Sequence, residues 1–360
     1  MQYQIINTCG TSVLTKPSRQ SDLFTELLKY SNAKTEKDIP VDIYNRFDNL
    51  WKKLIDEFKN LSEKDARDAS AELNSLLTWQ RKNSVKNQDC YCYLVHTDTV
   101  FGYMAASLVE EWLNSHKYQG VFVKKIESLN TNSLNSFEDG LSNLVKWFSE
   151  IKNNFYGDSI IFNTAGGFKA VSGFAQVLGT FWADKTIYKF ETGDEILEIP
   201  KLPIVWSEID TIQKNFDTYR KISLSIPLDS YAGLNPLWIK NGKFTPWGQI
   251  AWENAKEVLY GTQVFPFVYD GVVEGKEFRN SVKDLDANCI AHINERIDDL
   301  CLFKLSNGDY NPRRLDYKSL KVKQQFSHEC DAWAFHGAKR LFCNEEDGKI
   351  IVEKLDKGLH

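Results

Sequence analysis

Two sets of residues in this chain have the types and spacing for phosphate chemistry. The first is residues 160–170, Ile-Ile-Phe-Asn-Thr-Ala-Gly-Gly-Phe-Lys-Ala, where an apolar strand runs into a glycine pair that opens a helix. Glycine tolerates φ > 0 and lets a ligand approach the backbone. The first amides of a helix have no partner inside it and point at any anion seated there. Lys169 adds a mobile positive charge, and Asn163 and Thr164 add neutral hydrogen-bonding groups. A plain strand-to-helix turn needs glycine for geometry alone, and the segment by itself fits either reading. The second set lies in the tail: Arg313, Arg314, Lys318, Lys321, Lys323, His328, His336, Lys339, Arg340, Lys354, Lys357 and His360, with no paired carboxylates at metal spacing. Phosphodiester cleavage without a metal needs these types. Attack by a ribose 2′-OH builds charge that Arg and Lys stabilise, and a His can protonate the leaving oxygen.

The first set needs strands to hold it. Period-two or continuous apolar runs at residues 3–8, 91–96, 120–124, 159–163 and 186–191 read as strands. Helical patterns at 100–114, 137–152 and 168–183 alternate with them, which predicts a parallel α/β sheet with right-handed crossovers. Residues 21–86 hold no strand; Ile43, Phe47, Leu50, Leu54 and Phe58 fall at helical spacing, so this is a helical insertion with a core-facing stripe. Pro200 and Pro203 end the region. A connector follows, with a short strand at 222–226 and a helix at 246–259. Its residues 234–248 resemble the helix, turn and helix of a winged-helix module, without the Arg and Lys run that groove binding needs. The last part reads as a long helix over about 274–305, then strands at 320–326, 331–335, 339–343 and 349–355 with tight turns at 336–338 and 346–348. One helix and an antiparallel sheet make a small α+β domain.

At 360 residues the chain is long enough for two domains, or two and a linker. No run of eighteen apolar residues occurs and the first residues enter a strand directly, so a cytoplasmic protein with no membrane partner is expected. Seven cysteines, with only Cys90 and Cys92 close together and none at zinc spacing, read as reduced thiols, and no metal is expected. The net charge of −5 argues against broad attraction to nucleic acid, leaving only local contacts.

In a parallel sheet, ligands bind beyond the carboxyl ends of the strands near the switch point. Three such ends are rich in small polar groups: Asn7, Thr8, Cys9, Gly10, Thr11 and Ser12; then His96, Thr97, Asp98 and Thr99; then residues 163–169. The first strand is not followed by Gly-x-Gly-x-x-Gly, so no redox cofactor is expected. His96 itself reads first as a buried strand-end histidine satisfied by a backbone carbonyl. The three motifs, in this order, resemble the CARF domain of CRISPR-associated effectors over about residues 1–205, with the long insertion at about 21–86 a departure from the minimal pattern. The resemblance implies a Rossmann-like parallel sheet, a homodimer, and a cyclic oligoadenylate bound across its two-fold axis. It implies Gly10, Thr11, Ser12, Thr97, Asn163, Thr164, Gly166, Gly167, Phe168 and Lys169 as ligand-site residues. A two-fold ring of phosphates suits a symmetric interface, which favours cyclic tetra-adenylate as an allosteric activator with no other cofactor.

The tail, about residues 263–360, resembles the RelE family of toxins, which are ribosome-dependent mRNA interferases. The likeness lies in a long helix, a Tyr-x-x-Leu-x-Val strand, a hairpin with Lys-Arg-Leu-Phe and a last strand ending close to a His. It implies Arg340 as the phosphate-stabilising group, His360 as general acid, and Lys318, Lys321 and Lys357 as the basic surround. The general base is left open among a lysine, His336 and Glu329. From residue 264 to the end there are 15 Lys and Arg against 17 Asp and Glu, with 10 against 8 from residue 311 onward, so attraction to ribosomal RNA is weak overall and a ribosomal-protein contact through the insertion or the connector is expected. The whole then reads as a CARF domain (1–205), a winged-helix-like connector (206–262) and a RelE-like endoribonuclease (263–360). Its expected partners are a second copy of itself, the ribosome, mRNA and the cyclic oligoadenylate, and its expected role is antiviral defence in type III CRISPR systems. Two other readings stand beside it: a ligand-responsive binding or transcription protein with an inactive tail, and a ring nuclease using Ser12 and Lys169.

Overall fold

The computed structural model describes residues 2–152, 154–155, 157–167, 169–190, 193, 195–203, 209–320, 325–334 and 337–358. The chain divides into two compact units, Met1–Val205 and Trp206–His360.

The first unit is a mixed α/β fold compatible with the Rossmann type. Its strands are β1 (Tyr3–Thr8), β2 (Cys90–His96), β3 (Gly120–Lys125), β4 (Ser159–Asn163), β5 (Lys185–Lys189) and β6 (Ile196–Pro200), in the sheet order β3-β2-β1-β4-β5-β6. The first five are parallel; β6 returns antiparallel to β5. This last strand was not expected, because Pro200 reads as a terminator. Proline is tolerated at a strand end on an edge, and Pro200 is the final residue of β6. The helices are α1 (Ser12–Gln20), α2 (Phe24–Lys29), α3 (Val41–Lys59), α4 (Glu63–Ala69), α5 (Ala71–Asn83), α6 (Val100–Ser115), α7 (Leu134–Lys152) and α8 (Lys169–Trp182). The inserted helices are part of the core. Phe47, Leu54 and Phe58 are buried with Ile5, Leu94 and Phe101, the Phe47 and Phe101 rings lie 4.5 Å apart, and the Trp51 indole donates to Ser107 Oγ at 2.9 Å. On the other face Phe148 packs on Phe162 and Trp182. All seven cysteines are buried and unpaired.

The second unit begins with α9 (Ile209–Lys214) and α10 (Phe216–Ser223), a hairpin of β7 (Ile239–Lys240) and β8 (Lys243–Phe244), and α11 (Pro246–Leu259). Two expectations are corrected here. Residues 222–226 are the last turn of α10 and its exit, where Ser225 takes φ +58, and not a strand. Residues 234–243 form a turn and a hairpin, so the helix-turn-helix is absent. Asn241 and Gly242 both have positive φ, the geometry of a two-residue hairpin turn. Gly248, in the first turn of α11, has no room for a side chain: a Cβ would lie 2.1 Å from the Trp238 carbonyl oxygen. Gly248→Ala is therefore expected to lower stability by about 1–3 kcal/mol, read as a shift in the denaturation midpoint.

Next come β9 (Val272–Glu274), α12 (Phe278–Ser281), α13 (Ala287–Leu305), β10 (Lys318–Ser319), β11 (His328–Trp333), β12 (Lys339–Glu346) and β13 (Lys349–Lys357). The single long helix expected over 274–305 is interrupted, because the Asp286 carboxylate accepts from the Cys289 N–H and caps a new helix there. The sheet order is β10-β11-β12-β13-β9, with only the β13–β9 pair parallel. Asp347 and Gly348 turn β12 into β13 with φ +49 and +73. Of the strand expected at 320–326, residues 321–324 lie outside the described residues, and β10 ends at Ser319. The Arg220 guanidinium, fully buried, ties the helical part to the sheet part: Nε donates to Asp298 Oδ1 and Nη1 to the Pro266 carbonyl, both at 2.7 Å. The Tyr260 hydroxyl donates to Asp298 Oδ2. None of the described helices is long and apolar enough to cross a membrane.

Candidate functional site

The order of connections reverses between β1 and β4, so the crevice beyond their carboxyl ends is the switch point. Asn7 and Asn163 are register partners there. Asn163 Nδ2 donates to Asn7 Oδ1 and to the Glu72 carbonyl oxygen, each at 2.9 Å. Thr8 Oγ1 and Ser172 Oγ both donate to the Gly166 carbonyl oxygen, at 2.6 and 2.8 Å. A Cβ on Gly10 would lie 2.6 Å from the Gly167 nitrogen, so the two loops touch backbone to backbone. Gly167 has φ +92, in the left-handed region that favours glycine. Gly10 thus serves the packing of one loop on the other, and Gly167 its own backbone conformation.

Beneath both loops sits Glu72, from α5. Its Oε1 accepts the Gly10 N–H at 2.9 Å and its Oε2 accepts the Ser70 hydroxyl at 2.7 Å. A Cβ on Gly166 would lie 2.0 Å from Oε1. Sequence reasoning missed this residue. An acid in the first turn after a serine cap looks like routine helix capping, and no local signal says that two distant loops close on it. Burial pushes the Glu72 carboxyl up, against the hydrogen bonds from Gly10 and Ser70 that pull it down. The sign follows. With the folded-state value above the ordinary one, the folded protein holds the extra proton between the two, so stability falls as pH rises through that window and stays lower above it. Glu72→Gln keeps an acceptor for Gly10 without the buried charge. Its unfolding free energy is expected to match or exceed the parent's at neutral pH and to be flat across that window, as urea titrations at several pH values would read.

The ten residues expected at this site divide by position. Thr11, Ser12, Gly167 and Lys169 reach the surface, with Ser12 and Lys169 exposed. Asn163, Thr164, Gly166 and Thr97 are buried. Gly10 is half-buried with its amide committed to Glu72, and Phe168 lies outside the described residues. Thr97 Oγ1 contacts Thr99 Oγ1 at 2.9 Å, and Thr99 caps α6 through the Gly102 N–H. His96 Nδ1 faces the Thr97 carbonyl oxygen at 2.8 Å. The helices α1 and α8 both begin at the switch point, and Thr11, at the N-cap of α1, makes no side-chain cap bond. Their dipole ends and Lys169 favour an anion there.

Residues 67–202 match the model of a family described as CRISPR-associated protein (Cas_APE2256). The match supports a CRISPR-associated protein. It takes in α5 with Glu72 and every strand from β2 to β6. No curated protein matches the chain.

The second unit carries the other expected set. Arg340 stands between Asp331 and Asp356 in register, and Glu329 stands between Lys318 and Phe342, so these side chains share the sheet face opposite Leu341 and Cys343. Arg340 Nη1 donates to Glu329 Oε1, and Nε lies 3.4 Å from Asp331 Oδ1. Lys318 is paired with Asp316, and Lys354 with Asp356 at 2.9 Å. Lys357 is the register partner of Lys339, one position along, and falls on the opposite face from Arg340. Lys321, His336 and His360 lie outside the described residues. The structure therefore brings Arg340 and Lys318 to one face beside Glu329, and leaves Lys357 on the other.

Proposed function

We propose that this CRISPR-associated protein is a ribonuclease gated by an RNA messenger. Two subunits bind one cyclic oligoadenylate, tetra-adenylate by symmetry, at their switch-point crevices, and binding favours the arrangement that cuts mRNA on the ribosome. The observation that carries the sensor half is the start of two helices side by side at β1 and β4, with exposed Ser12 and Lys169 in their first turns. In the cutting half, Arg340 stabilises the charge that 2′-OH attack builds on the phosphate, and His360 protonates the leaving oxygen. Glu329, beside Arg340 and 7% exposed, is a candidate to take the 2′-OH proton. From residue 264 to the end the tail has 15 Lys and Arg against 17 Asp and Glu, and this weak attraction to ribosomal RNA calls for a ribosomal-protein contact.

A second reading is favoured by one observation: Arg340 is already engaged by two carboxylates, as in a tail that binds without cutting. The test is to mix the protein with translating ribosomes, with and without cyclic tetra-adenylate, and map mRNA ends. Cuts that need both ribosome and ligand support the main reading, while intact mRNA with ligand bound supports the second. Lys169→Glu should weaken ligand binding by about 100-fold, the loss of one charge-assisted contact and its replacement by repulsion. Ribosomes stripped of accessory proteins should lose the cutting, and undiminished cutting there removes the ribosomal-protein contact from the proposal.

A further inference from the structure

A pocket of about 680 Å³ opens at the carboxyl ends of β2 and β3, away from the β1/β4 crevice. His96 and Lys125 come from the strand ends, Tyr103 from the first turn of α6, and Lys34, Lys37 and Tyr44 from the inserted segment. The insertion, whose role the sequence leaves open, thus supplies a wall. Three lysines face one acid, Glu36, among the lining residues. Lys34 and Lys125 lean on the two oxygens of Asp98, at 3.0 and 3.5 Å, and Lys125 also on Glu127 at 2.8 Å. Lys37 makes no ion pair among the described residues.

The rest of the lining holds three aromatic rings, those of Tyr44, His96 and Tyr103, beside Thr35, Thr99, Val100 and Val123. Tyr103 is 49% exposed and lines the pocket, with its ring 6.0 Å from the His96 ring and 6.1 Å from Trp51. His96 adds direction. A backbone carbonyl only accepts, so the 2.8 Å contact with the Thr97 oxygen places the proton on Nδ1. Burial keeps the ring neutral, and Nε2 is then a bare acceptor for an N–H of whatever lies in the pocket.

We infer that this pocket is a second nucleotide site: it takes a nucleoside monophosphate whose base carries an exocyclic amine, with the ring against Tyr103, the amine on His96 Nε2 and the phosphate among Lys34, Lys37 and Lys125. The volume suits a ligand of that size. The pocket lies on the β2/β3 side of the sheet, where His96 and Thr99 flank Thr97 one strand spacing from β1, and it shares no lining residue with the loops at the ends of β1 and β4; the inference does not rest on the cyclic-oligoadenylate reading. A free nucleotide and the end of a linear RNA share this chemistry.

Calorimetry on the full chain tests it, with AMP, purine riboside 5′-monophosphate and linear tri-adenylate as probes. AMP should bind with Kd below about 1 mM, and the purine analogue, which lacks the amine, about tenfold more weakly. Lys37→Glu and Tyr103→Ala change exposed residues, so the fold is retained, which circular dichroism checks; each should weaken AMP about tenfold. Lys169→Glu should leave AMP binding unchanged. Tri-adenylate binding about tenfold tighter than AMP identifies an RNA end as the source, and equal affinity identifies the free nucleotide. No heat from either ligand at about 5 mM overturns the inference. So does AMP affinity that falls in Lys169→Glu and survives Lys37→Glu.

Discussion

Replacing Arg220 by alanine is expected to destabilise the C-terminal unit by about 3–5 kcal/mol. The cost comes from what remains behind. Asp298 would keep only the Tyr260 hydroxyl of the two partners described, and the Pro266 carbonyl oxygen would lose its donor in a dry interior. Arg220 is fully buried, with Nη2 lacking a partner among the described groups, so the native pair is itself an expensive arrangement. That predicts an asymmetry: Arg220→Met combined with Asp298→Leu should recover most of the loss, because two apolar groups leave no orphan charge. Urea unfolding followed by fluorescence of Trp238 and Trp252, both buried in the same cluster as Tyr219, reads the unit directly. A single-substitution cost under about 1 kcal/mol, the range of an exposed pair, would show that water reaches Asp298 and that the pair holds nothing together.

The second large effect concerns cutting. If the chain is the ribonuclease proposed above, Arg340→Ala should reduce single-turnover mRNA cleavage on ribosomes by about 10²–10³-fold, the usual loss when one donor to a developing oxyanion is removed. Alanine also leaves Glu329 buried without its partner, so lost activity alone is ambiguous. Arg340→Lys resolves this. A lysine keeps the charge beside Glu329 and Asp331 but cannot present a planar fork to a phosphate, so stability should be largely kept and cleavage still lost. Full activity in both variants would mean that Arg340 serves only the ion pairs of the sheet face.

The parallel sheet was legible in the sequence because each strand is a short apolar run bounded by turn residues, and the stripe from Ile43 to Phe58 announced its buried face. What could not be read was tertiary. The strand β6 exists because β5 offers it an edge, and Glu72 matters because residues some sixty and ninety positions away close over it. The misread connector is different: Asn241-Gly242 is a strong hairpin dipeptide, and the helical reading passed over it. At the candidate site the motif positions were visible, but their division into exposed and buried was not, since period and spacing carry no information on which of several polar residues at a strand end faces outward.

The contact between Gly10 and Gly167 limits how the proposed ligand crevice could be retuned. Because Gly10 has no room for a Cβ against Gly167, Gly167 sits at φ +92, and Gly166 has no room against Glu72, a mutant library spread across the motifs would mostly yield damaged scaffolds. Three described positions, Thr11, Ser12 and Lys169, offer side chains that can be exchanged without disturbing that interlock. On the proposed function, selectivity for a different messenger would have to be written in those three letters.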